Sequence, residues 1–209
     1  MHKLHIVKHP LVQHKLTLMR SEETTTDNFR RLVREQAAML VYEATRHLAT
    51  KMVHIKTPVG EGDFPLLSGK KLCLVSILRA GNGMIDGVVD LLPGARVGHI
   101  GLYRNPETLE PVEYYFKMPD DIENRDVFIV DPMLATGNSL IAAIDRLKKE
   151  GVKRIHVICI LAAQIGVDKL FAAHSDVDLV VAAVDETLND HGYIVPGLGD
   201  AGDRIFGTK

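Results

Sequence analysis

Five short apolar runs rich in Val, Ile and Leu recur along the chain, at residues 71–78, 95–103, 126–131, 154–163 and 178–185. They are too short for good helices, and buried strands fit them best. Between them lie helical patterns at 84–92, 138–150 and 164–174, the second ending at Gly151, a residue type that commonly closes a helix. Alternating strands and helices require right-handed crossovers, and hence a mainly parallel central sheet flanked by helices, an α/β fold. In such sheets ligands bind beyond the carboxyl ends of the strands, so the loops there are expected to carry the chemistry.

Upstream, residues 27–50 place Phe29, Leu32, Val33, Gln36, Ala37, Leu40, Val41, Ala44 and Leu48 close to a 3.6-residue period. This predicts an amphipathic helix with Thr26 or Asp27 as its N-cap. A Pro- and Gly-containing loop is expected over 57–69, and a projecting arm over 103–119. In the arm Pro106 and Pro111 resist regular structure, while Tyr114, Tyr115 and Phe116 need cover from the body, a ligand or another subunit. At 209 residues, with roughly 100–200 residues per domain, one domain is expected.

The charge balance is 25 Lys+Arg against 27 Asp+Glu, a formal net charge of −2. That weakens any reading built on bulk attraction to nucleic acid or anionic lipid, and leaves room for a small anionic ligand recognised locally. The first ten residues contain no apolar leader core, and no run approaches the ~18 apolar residues of a membrane span, so a soluble cytoplasmic protein with no membrane partner is expected. Cys73 and Cys159 sit inside apolar runs and no CxxC occurs, which makes them core residues rather than redox or metal groups. Ten histidines occur without an HExxH pattern; most are expected to be surface or satisfied structural residues.

Two strand-to-helix junctions suit an anion. In Val127-Phe-Ile-Val-Asp131-Pro132-Met133-Leu134-Ala135-Thr136-Gly137-Asn138-Ser139 a buried strand passes through a small-residue loop into a helix. N–H groups at a helix N-terminus offer unpaired donors and a favourable dipole, Thr136 and Ser139 add hydroxyls, and Gly137 permits close backbone approach. Asp131 is placed to accept hydrogen bonds from sugar hydroxyls. The same spacing also fits an ordinary helix capped by Asn138 or Thr136. At Ser76-Ile-Leu-Arg79-Ala80-Gly81-Asn82-Gly83-Met84, Gly81 and Gly83 permit close approach and Arg79 can fork two pyrophosphate oxygens. An Arg before a Gly turn is also a common surface charge, but two such loops together favour a polyphosphorylated ligand. The GxGxxG match at Gly197-Leu-Gly199-Asp-Ala-Gly202 follows Pro196 and is expected to lack a following helix and a βαβ unit, and the P-loop-like Gly202-Asp-Arg-Ile-Phe-Gly207-Thr208-Lys209 has its final pair exchanged. Neither a dinucleotide fold nor an ATPase is expected from them.

The strand ending in Asp131 followed by Ala135-Thr136-Gly137 resembles the phosphoribosyl-pyrophosphate signature of type I phosphoribosyltransferases. The longer Val130-Asp-Pro-Met-Leu-Ala-Thr-Gly137 resembles its form in the uracil phosphoribosyltransferase family. The likeness continues through His9-Pro-Leu-Val12, His14-Lys-Leu16, Tyr42-Glu-Ala44, Ile77-Leu-Arg-Ala-Gly81, Tyr103-Arg104-Asn105, Glu107-Thr-Leu-Glu-Pro111, His191-Gly-Tyr-Ile-Val-Pro-Gly-Leu-Gly-Asp-Ala-Gly-Asp203 and Phe206-Gly-Thr-Lys209. Pro132 stands where the broader pattern has a second acid, as in the uracil branch. Asn138 stands where a second Gly is common, and Asn tolerates left-handed backbone angles, so the loop is still expected to form.

The resemblance implies a single type I phosphoribosyltransferase domain over 1–209, with the N-terminal segment and residues 185–209 forming a hood over the base. It implies conversion of uracil and 5-phospho-α-D-ribose 1-diphosphate (PRPP) to UMP and diphosphate with Mg²⁺. Carried over by motif, Asp131, Pro132, Met133, Leu134, Ala135, Thr136, Gly137, Asn138 and Ser139 hold the ribose and 5′-phosphate. Arg79 holds the diphosphate, Arg104 closes over it, and Asp200 lies toward this ligand and its metal shell. Ile194, Gly199, Asp200 and Ala201 bind uracil, and Arg79, Arg104, Asp131 and Asp200 form the catalytic set. Mg²⁺ is expected to be held mainly by PRPP and water, without direct protein ligands. Some relatives are activated by GTP, and the aromatic arm favours a homodimer or larger assembly. A regulator of the same fold that binds RNA needs a basic face, which the net charge does not supply.

Overall fold

The structure is a computed structural model that describes residues 3–68, 72–104 and 111–208. In chain order its elements are β1 (Lys3–Ile6), α1 (Pro10–Arg20), α2 (Thr26–Ala44), β2 (Thr50–Thr57), β3 (Gly60–Leu67), β4 (Leu72–Leu78), α3 (Asn82–Leu91), β5 (Arg96–Arg104) and β6 (Pro111–Lys117). They continue with β7 (Asp126–Val130), β8 (Met133–Leu134), α4 (Asn138–Lys149), β9 (Arg154–Ala163), α5 (Gln164–Ala173), β10 (Asp178–Asp185), β11 (Thr187–Leu188), β12 (Ile194–Val195) and α6 (Ala201–Phe206).

The main sheet runs β1-β10-β9-β7-β4-β5-β6, with β8 also pairing to β9, and every pairing except β5 with β6 is parallel. The five apolar runs of the sequence are therefore β4, β5, β7, β9 and β10, all of them side by side in the interior of the sheet. Because successive side chains of a strand point to opposite faces, β7 contributes to two cores. Phe128 and Val130 join Leu16, Phe29, Leu40, Met84 and Ile205 beneath α1, α2, α3 and α6. Val127 and Ile129 join Leu140, Ile144, Leu147 and Leu170 beneath α4 and α5. Cys73 and Cys159 are buried, and burial pushes the Cys73 thiol up to about 11, as befits core residues.

Four sequence expectations change. The helix predicted over 27–50 stops at Ala44, where the Thr45 N–H bonds back to Val41 and the chain turns toward β2. Most of the loop expected over 57–69 is one strand of an antiparallel hairpin in which β2 and β3 pair from Thr50↔Leu67 to Thr57↔Gly60. Its turn is closed by Thr57 Oγ1, which accepts from the Val59 and Gly60 N–H groups. Residues 111–117 of the expected arm form the edge strand β6, with Pro111 at its first position; an edge strand needs no ladder donor there. Pro106 and the rest of 105–110 lie outside the described residues. A helix, α6, does follow the GxGxxG segment, but it has only six residues and leads into no βαβ unit. Among the described residues no helix is long and apolar enough to cross a membrane.

Candidate active site

The parallel strands deliver three chain segments to one end of the sheet. From the end of β7 the chain enters Asp131 and the bonds that follow stitch it to β9. The Asp131 N–H donates to Ile158 O, and the Ile160 and Leu161 N–H groups both donate to Pro132 O. β8 then pairs Met133 with Leu161 and Leu134 with Ala162. Pro132 and Leu134 are buried, so these two residues can offer a ligand only their backbone.

Gly137, not Asn138 or Thr136, is the N-cap of α4. Its φ is 82°, and no side-chain oxygen caps the helix. A left-handed φ suits Gly best. Asn138 is the first helical residue, so it never needs the left-handed conformation; its Oδ1 accepts from Lys169 Nζ. The first N–H groups of α4 therefore face outward without a side-chain cap, a ready anion site.

The second segment follows β4. Here the chain turns at Arg79, and a Cβ on Gly81 would lie 2.4 Å from Val130 O. The close approach allowed by Gly81 is thus between two protein segments, bringing the Arg79 turn against the end of β7. The Arg79 side chain is exposed, 3.7 Å from Asp203 and above the Phe206 ring. It borders an open cleft of about 570 Å³ with Asn82, His99, Tyr114, Tyr115 and Phe206.

The third segment is the tail. β11 and β12 pair Leu188 with Ile194, and the chain then passes Gly197 and Gly199, both at positive φ. Asp200 caps α6 through Oδ1, which accepts from the Asp203 N–H, and the Tyr193 hydroxyl lies 3.5 Å from its Oδ2.

These segments meet in a cavity of about 210 Å³ lined by Ala80, Asp131, Met133, Ala135, Tyr193, Ile194, Gly199, Asp200 and Ala201, among others. All four residues singled out for uracil lie there together with Asp131. Ser139 and Asn138 stand at the start of α4, and Arg79 in the adjoining cleft. Arg104 ends β5, and its side chain lies outside the described residues. Asp131 accepts a bond from the Met133 N–H at 3.3 Å. Burial raises its carboxyl to about 7, the Met133 bond opposing only part of that.

Tyr193, Arg20, Asp185 and Arg204 also border or brace this region, and none was legible as a site residue. Their roles depend on long-range contacts that no local sequence pattern records.

The uracil phosphoribosyltransferase family model matches residues 6–208. The chain belongs to the uracil phosphoribosyltransferase family. It is 59% identical to a uracil phosphoribosyltransferase of Delftia acidovorans and 58% identical to one of Geobacillus kaustophilus, each over the full length of both chains. Among solved structures, a protein from Aquifex aeolicus superimposes with a TM-score of 0.90 at 37% identity, covering 97% of each chain.

Proposed function

We propose that this site transfers the phosphoribosyl group of PRPP to N1 of uracil, giving UMP and diphosphate in cytoplasmic pyrimidine salvage. The observation that carries this reading is the single cavity shared by Asp131, Met133 and Ala135 with Ile194, Gly199, Asp200 and Ala201. One segment is suited to a phosphorylated sugar and the other to the edge of a flat base.

In this reading the N-terminal N–H groups of α4, with the Thr136 and Ser139 hydroxyls, hold the 5′-phosphate. Asp131 accepts bonds from the ribose hydroxyls. Arg79 and Arg104 take the diphosphate. The backbone of Ile194, Gly199 and Ala201 reads the two carbonyls and the N–H of uracil, so cytosine leaves buried groups unpaired. The C1′–diphosphate bond breaks with its electron pair leaving on the diphosphate, uracil N1 forms the new bond to C1′, and the N1 proton passes to solvent, through an oxocarbenium-like sugar. Catalysis is then mainly positioning and charge stabilisation.

Hard carboxylate oxygens on Asp131 and Asp200 border the same cavity, a donor set that fits Mg²⁺ arriving on the diphosphate, with Asp200 reaching its water shell. When bound, the ion supplies positive charge against the departing diphosphate. The same reading makes residues 1–209 one domain whose N-terminal segment and 185–209 tail form the hood, a homodimer or larger assembly, and GTP a candidate activator.

The test is product formation from labelled uracil, cytosine and hypoxanthine with PRPP and Mg²⁺, with and without GTP. UMP from uracil alone, lost in Arg79→Ala, is expected. A nucleotide product from hypoxanthine, or none from uracil under any condition, would overturn the reading.

A further inference from the structure

The loop that closes the uracil side of the cavity carries polar backbone groups that sit away from water, and two arginines and a buried carboxylate satisfy them. Asp185, at the end of β10, is only 8% exposed. Its two oxygens receive a forked pair of bonds from Arg20, Nη1 to Oδ2 and Nη2 to Oδ1, each 2.7 Å. Oδ2 also accepts from the Gly197 N–H at 2.9 Å, while Arg20 Nη1 donates to Gly197 O at 2.8 Å. Both polar groups of Gly197 are thereby held by a single ion pair. The neighbouring Leu198 O accepts from Arg204 Nη1 at 2.7 Å, and the same guanidinium reaches Met19 O and Ser21 O and lies over the Phe29 ring.

The position of Gly197 leaves the loop little alternative. Its φ is 64°, and a Cβ would stand 2.0 Å from Ile194 O, so Gly197 folds back directly onto a residue of the base-reading set. Arg20 ends α1, which is itself fastened to β10 by Gln13 Nε2 donating to Ala182 O, and to the residue after β1 by the same nitrogen donating to Val7 O. The burial of Asp185 alone would raise its carboxyl. The Arg20 bond, the Gly197 N–H and the Arg20 charge outweigh that and hold it below its ordinary value.

From this geometry we infer that Arg20 and Asp185 are positioning residues for base recognition: their ion pair clamps the Gly197 peptide and so sets where the Ile194, Gly199 and Ala201 backbone stands. The inference rests on the reading of the cavity as a uracil site. Neither residue lines the cavity holding Asp131, so each acts through the loop and not on the substrate. Arginine is suited to this task because its planar fork grips the carboxylate with two donors while one nitrogen also reaches the Gly197 carbonyl, which a lysine ammonium cannot reproduce with the same geometry. In the same reading PRPP is held mainly by α4, Asp131 and Arg79, with Asp200 its one partner on the clamped tail, so loss of the clamp weighs chiefly on uracil.

The experiment is steady-state kinetics of Arg20→Gln and Arg20→Lys, with each substrate varied in turn and the cytosine-to-uracil rate ratio measured. Thermal melting of each variant accompanies the kinetics. In Arg20→Gln the KM for uracil rises at least about tenfold, the KM for PRPP stays within about twofold, and discrimination against cytosine weakens. Arg20→Lys lies between the two, because it retains the charge on Asp185 and loses the fork. Asp185→Asn gives the same split, and combining it with Arg20→Gln adds less than the product of the single effects, as expected of one unit. An unchanged uracil KM in folded Arg20→Gln, or equal rises in both KM values, would overturn the clamp. Failure of the wild-type protein to form UMP would instead overturn the site reading, and the two failures are therefore distinct.

Discussion

In the proposed site, Asp131 is the side chain through which PRPP binding is expected to depend on pH. It borders the cavity with a single hydrogen bond from the Met133 N–H, and burial lifts its carboxyl to about 7. Near neutrality the unliganded protein is therefore divided between protonated and ionised forms, whereas accepting bonds from two sugar hydroxyls favours the carboxylate. The apparent affinity for PRPP is expected to rise as pH increases from 6 toward 8. Asp131→Asn removes that part of the profile while leaving the substrate's own ionisation in place, and binding titrations of both proteins check it. For stability the sign is opposite to that of a salt-bridged carboxylate. The folded protein holds this proton more tightly than an unfolded Asp of 3.8 does, so its stability falls as pH rises between about 4 and 7. Asp131→Asn should consequently be more stable at pH 8, by about 2 kcal/mol once the carboxyl's partial access to the cavity is allowed for. Lower or equal stability of the variant in urea unfolding at pH 8 would contradict this. His156 pulls the other way. It is buried against His47 and Phe128, and its Nε2 has no hydrogen-bond partner among the described residues. Burial, then His47, holds its pKa below the usual value, so it costs stability as pH falls below about 6.5.

Among the elements, α4 is the one proposed to receive the 5′-phosphate. Its N-terminus is open because Gly137 enters the helix from a left-handed conformation without a capping side chain. Gly137→Ala keeps the loop's polarity and forces a Cβ into that conformation, which costs about 1 kcal/mol or more. The KM for PRPP should rise with it, and the uracil KM should not. Urea unfolding and substrate-saturation curves separate the two effects; equal stability and an unchanged PRPP KM would show that the turn imposes no such demand. This scale was also the most legible in the sequence. β4, β7, β9 and β10 stood out as apolar runs because both their faces are covered. The hairpin of β2 and β3 was not legible, since it is exposed along most of both strands and carries Pro65. Alternation of apolar and polar side chains has little to report where neither face meets a core.

On the scale of the whole molecule, that hairpin is the feature a single copy leaves unfinished. Val53, Ile55, Phe64 and Leu66 share one face through the pairings Lys51↔Leu66, Val53↔Phe64 and Ile55↔Gly62, and Ile55, Phe64 and Leu66 are exposed. A two-stranded hairpin is marginal alone, and an apolar face of this kind calls for a partner surface. Sedimentation should give at least twice the 23.1 kDa chain mass, and Phe64→Glu with Leu66→Glu should shift it toward the single-chain mass. The double variant sedimenting like the wild type would place the contact elsewhere. The site was half legible at this scale. The loop after β7 and the Arg79 turn could be found because each follows a buried strand, but Arg20, Asp185 and Arg204 could not. Arg20 and Gly197 are 177 positions apart in sequence, and no local pattern records that they touch.

We propose that the Asp131–Ser139 segment and the 194–201 tail are two halves of one nucleotide site. A crystal structure with UMP bound tests it most directly. The 5′-phosphate is expected against the N–H groups of residues 136–139, the ribose hydroxyls on Asp131, and the uracil edge on the backbone of Ile194, Gly199 and Ala201. UMP held in the adjoining cavity of about 630 Å³, which shares Ile194, Gly199 and Asp200 but not Asp131, or otherwise touching only one of the two segments, would contradict it.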